Sequence, residues 1–130
     1  MKVFTLKKRK DFVKAAREFK VVTNGLVLQA AFNLSDKQQD CSFIGYTATK
    51  KLGKAHLRNK TKRRLRAAAR LVFPNIGLRG INYVLIGRHN TTTLDFSYLV
   101  KKLNDAVLEI NRLITEKKNA NDTKDHDSSD

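Results

Sequence analysis

Ten lysines and arginines, and no acidic residue, lie within residues 50–70 (KKLGKAHLRNKTKRRLRAAAR). Guanidinium and ammonium groups at this density bind phosphates, and arginine does so through paired hydrogen bonds of defined geometry. Residues 56–72 keep an apolar stripe on one helical face, formed by Leu57, Thr61, Leu65, Ala68 and Val72. A disordered basic tail has no such stripe. The sequence therefore predicts a packed helix over about 54–72 that presents cations outward, with Arg58 and Arg63 pointing away from the stripe.

The charge of the whole chain agrees with binding to a polyanion. It has 27 Lys and Arg against 12 Asp and Glu, a net charge of +15 and a pI near 10.3. Such a protein binds nucleic acid by counterion release. A membrane surface is the weaker hypothesis, because no long amphipathic segment pairs large apolar residues with the basic face. With a single cysteine, Cys41, no signal peptide and no apolar run long enough to span a bilayer, the chain is predicted to be cytoplasmic.

Residues suited to catalysis or metal binding are scattered along the chain. His56 and His89 have no Cys or His partner at ligand spacing, and the acidic residues form no suggestive pair. Cys41 has no base near it in sequence and is interpreted as an inert thiol. The sequence predicts no catalytic or metal site belonging to the protein itself.

The spacing of apolar residues predicts an α+β fold. The elements in chain order are a helix over 11–19 capped by Asp11, strands over 21–23, 26–32 and 42–49, the basic helix ended by Phe73-Pro74-Asn75, a strand over 81–88, and a helix from about 95 to 114. This order, α-β-β-β-α-β-α, implies a small mixed sheet of four strands with three helices. The basic helix would join one parallel strand pair. Residues 1–114 are expected to form one domain, with a polar hairpin loop at 33–40 and a disordered tail over 115–130.

Residues 49–66 (TKKLGKAHLRNKTKRRLR) resemble the signature of the bacterial ribonuclease P protein subunit. In that family a strand ends in two lysines, and glycine or a similar residue then interrupts the regular structure. An Arg-Asn-Arg motif follows and precedes further basic residues. The matching positions are Lys50, Lys51, Gly53, Ala55, Arg58, Asn59, Lys60, Lys62, Arg63 and Arg66. Lys60 stands where the family usually has arginine. The similarity covers roughly residues 4–114, including LKKRKDF, FIGYTATKK and INYVLIGR.

The resemblance implies a noncatalytic partner of a ribozyme that removes the 5′ leader from precursor tRNA. Catalysis and the essential Mg²⁺ would belong to the RNA subunit, with no cofactor bound by the protein, no membrane and no DNA as partner. It also implies a left-handed crossover through the basic helix. The residues expected to contact the RNA are Lys50, Lys51, Lys54, Arg58, Asn59, Lys60, Lys62, Arg63 and Arg66.

The resemblance also implies a cleft for the single-stranded leader between the first helix and the sheet. Phe12, Lys14 and Gln29 are the residues expected there. Phe12 matches an aromatic of the family and is suited to stacking on a base, although its spacing alone favours the core. A second aromatic is replaced by Ala16, and Gln29 stands where a strand aromatic is often found, so polar contacts are expected to matter more.

Two other classes of protein share a basic α+β domain. A structural ribosomal protein and a DNA-binding protein without sequence preference both combine such a domain with a basic helix. They stay open as alternatives on composition and charge alone.

Overall fold

The computed structural model describes the backbone of residues 2–33 and 40–128, and the side chains of residues 2–33 and 40–120. Within these ranges the chain forms five strands and three α-helices, with one turn of 3-10 helix, Lys50–Leu52, before the second helix. The elements are β1 (Lys2–Thr5), α1 (Arg9–Glu18), β2 (Phe19–Thr23), β3 (Leu26–Phe32), β4 (Cys41–Thr47), α2 (Ala55–Ile76), β5 (Ile81–Gly87) and α3 (Phe96–Ser128).

The strands form one mixed sheet in the order β1-β4-β5-β3-β2. β4 pairs in parallel with β1 and β5, and the β5–β3 and β3–β2 pairs are antiparallel. Helix α2 connects the adjacent parallel strands β4 and β5, which confirms the predicted α+β fold and the crossover through the basic helix. The hand of that crossover stays a prediction.

The sheet has five strands, whereas the sequence predicts four. The additional strand is β1, whose four residues are mostly exposed, with only Val3 half-buried. Four residues with one inward side chain give too little alternation to indicate a strand. Its hydrogen-bond partner, β4, begins at Cys41. Because that pairing joins residues that are far apart in the sequence, no local pattern predicts the strand.

The helices cover the two faces of the sheet unequally. α2 and α3 pack on one face, where Leu28, Tyr83 and Leu85 join Leu65 and Leu103 in the main core. α1 packs on the other face, where Ala15 meets Ala31 and Val84 in a smaller cluster. Strands β3, β4 and β5 are therefore buried on both faces, as expected for the centre of a sheet with helices on each side.

One boundary of α1 and one of α2 differ from the prediction. α1 begins at Arg9, so Asp11 lies in its first turn and Lys8 occupies the N-cap position. α2 continues past Pro74 to Ile76. Proline cannot donate to the carbonyl of the preceding turn, but burial of Phe73 and Val72 holds the last turn in place. The helix ends at Gly77, whose N–H donates to the Phe73 carbonyl at 2.8 Å.

Helix α3 continues beyond Ile114 to Ser128, where the sequence predicts a disordered tail. Ile114 is its last buried side chain among the described ones, and residues 115–120 are all exposed. The described buried residues of α3 therefore end at Ile114, and the extent of the domain, residues 1–114, stays a prediction. Most of the predicted hairpin loop, residues 34–39, lies outside the described residues. No described helix is both long and apolar enough to cross a membrane.

A buried polar network ties the end of α2 to α3. The Tyr83 hydroxyl accepts a hydrogen bond from the Leu78 N–H at 2.9 Å and donates to Oδ1 of Asn111 at 2.6 Å. The Asn111 amide in turn donates to the Ile76 carbonyl at 2.7 Å. Burial raises the pKa of the Tyr83 hydroxyl well above its usual range. The network keeps the orientation of α2 on the sheet fixed.

Candidate nucleic-acid interface

Helix α2 is attached to the sheet through one face only. Its buried residues are Thr61, Leu65, Ala68, Ala69, Val72 and Phe73. This confirms the predicted stripe from Thr61 onward, while Leu57 is 38% exposed and lies at the edge of the contact. A Cβ at Gly87 would lie 2.1 Å from the Thr61 methyl group, so glycine at the end of β5 allows the helix to approach closely. The opposite face of α2 is left to solvent.

Exposed cations cover that outer face. Four cations on it are exposed, Lys60, Arg63, Arg66 and Arg70, and the neutral Asn59 is exposed beside them. The ion pairs formed by described side chains are those of Lys14 with Glu18 and of Arg112 with Glu109 and Glu116, and none involves α2. No described carboxylate therefore neutralises the positive charge on the helix, which is available to phosphate groups.

A shallow groove of about 470 Å³ runs along this surface. It is lined by His56, Asn59, Lys62, Arg63 and Arg66. No carboxylate is among these residues. Two guanidinium groups, an ammonium group and an amide therefore face this groove. The guanidinium groups can hold phosphate oxygens through paired hydrogen bonds, and the amide can reach a ribose hydroxyl or a base edge.

Arg58 does not point fully outward as the sequence predicts. It is half-buried, and its Nε is enclosed without a hydrogen-bond partner among the described residues. The physical reason is its angle on the helix: Arg58 follows Leu57 by about 100°, which places it in line with Leu65 and Ala69, about two and three turns later. Lys62, next on that side, is also half-buried.

Three lysines precede the helix. Lys50 and Lys51 lie in the 3-10 turn, and Lys54 is the N-cap of α2; all three are exposed. Gly53 turns the chain between them with a φ of 110°, a conformation that favours glycine. The first turn of α2 contains no acidic residue. The free N–H groups and the positive dipole end of the helix thus add to the lysine charges.

Arg64 differs from its neighbours and was not predicted to bind RNA. Its two terminal nitrogens donate to the carbonyls of Thr92 and Leu94, each at 2.7 Å. Its guanidinium also lies 5.7 Å from the centre of the Phe96 ring. Arg64 fastens α2 to the loop before α3 and is part of the scaffold.

The structure separates the three residues predicted for the leader. The Phe12 ring packs over β4, where a Cβ at Gly45 would lie 2.4 Å from it. Gly45, Val84, Gln29 and Lys20 form one row across the sheet, which places half-buried Gln29 two strands from Phe12 on the same face.

Lys14 lies on the other flank of α1 from Phe12. Two helical positions rotate a side chain by about 200°. The Lys14 ammonium donates to the Phe32 carbonyl at 2.9 Å and lies 3.8 Å from Glu18. Lys20 is exposed and pairs with Gln29, so it lies on the same face of the sheet as Gln29. The sequence does not show this pairing.

Two further residues of the basic surface were missed by the sequence analysis. Arg70 follows Arg66 by four residues and is exposed on the same side of α2, a spacing that could have identified it. Tyr46 on β4 lies beneath Arg66, whose guanidinium is 5.2 Å from the ring centre. That contact arises only through the packing of α2 on the sheet.

Comparisons of sequence give a consistent family. The ribonuclease P family model matches residues 1–111. The ribonuclease P protein component of Gluconacetobacter diazotrophicus is 48% identical over 99 residues, which cover 75% of this chain and 83% of that protein. The corresponding protein of Paramagnetospirillum magneticum is 41% identical over 110 residues, covering 83% of each chain.

Comparisons of structure agree. The ribonuclease P protein of Thermotoga maritima superposes with a TM-score of 0.68 at 28% identity, covering 82% of this chain and 96% of that one. The protein from Staphylococcus aureus has a TM-score of 0.64 at 21% identity, covering 82% and 94%, and shows the shared fold. The chain carries a basic helix on this fold and the motif of residues 49–66, and both agree with these matches. It therefore belongs to the ribonuclease P protein component family.

Proposed function

We propose that this protein is the RNA-binding subunit of ribonuclease P and assists a catalytic RNA in removing the 5′ leader from precursor tRNA. The observation that carries the proposal is the outer face of α2. Its cations are exposed, have no acidic partner among the described residues, and are mounted on a helix held by a continuous core. Family membership gives the partner: the RNA subunit of the same enzyme.

The RNA subunit would lie along the α2 groove. Arg63 and Arg66 offer paired donors to phosphate oxygens, and Asn59 in the same groove can both donate and accept. Lys60 is a point charge that attracts phosphate without fixing its orientation. Lys50, Lys51 and Lys54 extend the same positive surface past the N-terminus of the helix.

The leader of the precursor tRNA would lie across the face of the sheet that α1 covers in part. Phe12 offers a half-buried ring, Gln29 an amide and Lys20 an exposed ammonium group at the end of the row. Contacts of this kind tolerate many sequences, because every base has a flat face and every nucleotide a phosphate. Lys14, held by the Phe32 carbonyl, would contribute mainly through its charge.

The protein would carry no catalytic group. The groove on α2 is lined by cations, an amide and one imidazole, with no carboxylate to bind a metal ion or act as a base. Mg²⁺ would enter with the RNA, and the protein would lower the Mg²⁺ requirement by neutralising phosphates that otherwise repel one another. The cytoplasm is the expected compartment.

Reconstitution with the cognate RNA subunit and a precursor tRNA tests the proposal. The protein alone is expected to cleave nothing, and adding it to the RNA subunit should lower the Mg²⁺ concentration needed for cleavage at the mature 5′ end. Replacing Arg63 and Arg66 with Ala should raise that concentration again. Lys101→Ala, an exposed cation on α3, is the matched control. Full cleavage at low Mg²⁺ without protein would contradict the proposal.

Two further measurements separate this function from the alternatives. A ribosomal protein would remain with a ribosomal subunit in stoichiometric amount after a high-salt wash, whereas this protein should not. A DNA-binding protein would bind duplex DNA as well as it binds folded RNA at fixed salt. Here the RNA subunit should displace the DNA.

A further inference from the structure

A second cleft lies beside the basic groove, between α2 and the edge of the sheet formed by β1 and β4. Its volume is about 420 Å³, within the range of small-ligand sites. Its floor is apolar and comes from both layers: Val3 and Ile44 from the strands, Ala69 and Pro74 from the helix. β1 is the edge strand of the sheet, so the cleft is open on that side.

The rim of this cleft is cationic and aromatic. Arg66 and Arg70, one helical turn apart, border it on the α2 side, and Tyr46 borders it on the sheet side. The Arg66 guanidinium covers the Tyr46 ring at 5.2 Å. Burial raises the pKa of the Tyr46 hydroxyl, whereas the positive charges of Arg66 and Arg70 oppose that rise, so both guanidinium groups act at this hydroxyl. Among the described residues, no acidic side chain lines the cleft.

These features select a ligand with a flat apolar part and a negative charge. Guanidinium groups bind phosphate oxygens, and both an aromatic ring and a guanidinium plane stack on nucleobases. A base within an RNA duplex cannot enter a concave site, so the ligand must be unstacked. Arg66 lines both this cleft and the groove on α2, which makes the two surfaces continuous.

We propose that the cleft holds one unstacked nucleotide of the RNA that α2 binds, with its base against Tyr46 and Arg66 and its phosphate on Arg70. This inference rests on the proposed function, because it takes the ligand from the RNA subunit. It assigns RNA contacts to Tyr46 and Arg70, which lie outside the motif of residues 49–66.

Salt-dependent binding to the RNA subunit distinguishes the two contacts. Tyr46→Leu should weaken binding about tenfold without changing the slope of log affinity against log salt, because it removes a stacking surface and no charge. Arg70→Ala should weaken binding and reduce that slope by about one. Tyr46→Phe keeps the ring and should bind within about threefold of wild type. Lys101→Ala should change neither quantity. Melting curves establish that each variant folds.

A titration of the labelled full-length protein identifies the ligand class. Uridine or adenosine monophosphate should shift the Tyr46 ring and Arg70 side-chain NMR signals and saturate at lower concentration than inorganic phosphate. The inference is overturned if phosphate alone saturates equally well, if nucleotides leave Tyr46 unmoved, or if Tyr46→Leu binds the RNA subunit like wild type. Failure of the proposed function is a different result, since the wild-type protein itself would then not bind the RNA subunit.

Discussion

Adjacent arginines on α2 have opposite roles because successive residues on a helix are separated by about 100°. Arg63 is exposed and lines the groove, whereas Arg64 turns back to the loop before α3 and donates to two backbone carbonyls. Charge alone does not distinguish them. A positive residue is part of the RNA interface only where the fold leaves its donors without partners, and that condition separates Arg63, Arg66 and Arg70 from Arg64.

Arg63→Ala and Arg64→Ala should therefore fail in different ways. Arg63→Ala should weaken RNA binding and reduce the salt slope by about one while leaving stability within about 0.5 kcal/mol of wild type. Arg64→Ala should lower the free energy of unfolding by about 2 kcal/mol, because the carbonyls of Thr92 and Leu94 lose a charged donor. Urea denaturation and filter binding at several salt concentrations measure both effects. Equal loss of stability in the two variants would contradict this assignment.

Inside the core, the contribution of Tyr83 to stability likewise depends on the groups around its hydroxyl. Tyr83→Phe should lower the free energy of unfolding by about 1–3 kcal/mol, because the Leu78 N–H and the Asn111 amide oxygen lose their partner. Tyr98→Phe, at an exposed position with one long hydrogen bond of 3.2 Å, is the control and should cost less than about 0.5 kcal/mol.

The pH dependence of stability supplies a second test of Tyr83. Burial raises the pKa of its hydroxyl above the usual value of 10.0, so the folded state holds this proton more tightly than the unfolded state. That contribution to stability is complete below pH 10 and is lost as the pH rises further. The wild-type protein should therefore lose more stability above pH 10 than Tyr83→Phe. Equal losses would indicate that the hydroxyl is not buried in solution.

Helix α2 holds its cations in fixed positions because its two faces have different roles. The inner face is buried against the sheet and α3, and the outer face carries cations that would otherwise repel one another. The apolar contacts offset that repulsion. RNA binding and folding are thus coupled through the same 22 residues, with the inner face determining where the outer charges stand.

A charge introduced on the inner face of α2 should unfold the protein. Leu65 is fully buried, so Leu65→Asp replaces core packing with an unpaired carboxylate and should cost more than about 4 kcal/mol. Ala67→Asp, two residues away on the exposed face, is the matched control; it should fold normally and only weaken RNA binding. Circular dichroism and thermal melting measure the difference. A native spectrum for Leu65→Asp would refute the orientation of the helix.

The whole molecule is a polycation, and ten of its 27 basic residues lie in residues 50–70. Positive side chains on α2 and on the turn before it lie on the same continuous surface as the cleft at Tyr46. Association with RNA by such a surface is driven in large part by release of counterions from the phosphates. The long-range attraction is non-specific, and the register of the RNA must come from the groove and the cleft.

The strength of binding should depend steeply on salt. If about six phosphates are contacted, affinity for the RNA subunit should fall about a thousandfold between 50 and 200 mM monovalent salt. Fluorescence anisotropy across this range measures the slope. A slope corresponding to one or two phosphates would mean that the α2 surface is not the main interface.

Much of this protein follows from patterns that are local in the sequence. The apolar stripe of α2 and the strands LVLQAAF and INYVLIG are set by side-chain spacing, and each lies within a few residues of its predicted bounds. The apolar face of α3 is set in the same way, but the helix continues 14 residues beyond its predicted end. The concentration of ten cations in residues 50–70, and the motif within them, were sufficient to predict an RNA-binding surface and its family.

Other features depended on contacts between distant residues. Strand β1 forms through its pairing with β4. Arg64 is kept out of the RNA interface by its bonds to two distant carbonyls, and Lys14 is tied to the Phe32 carbonyl by the packing of α1 on the sheet. The cleft at Tyr46 likewise requires α2 to cross the sheet edge. The sequence by itself determined the apolar stripes and the cluster of cations, because the spacing of side chains along a helix or strand is a local property. Only the tertiary structure decided which charged groups remain without partners, because that depends on every element packed around them.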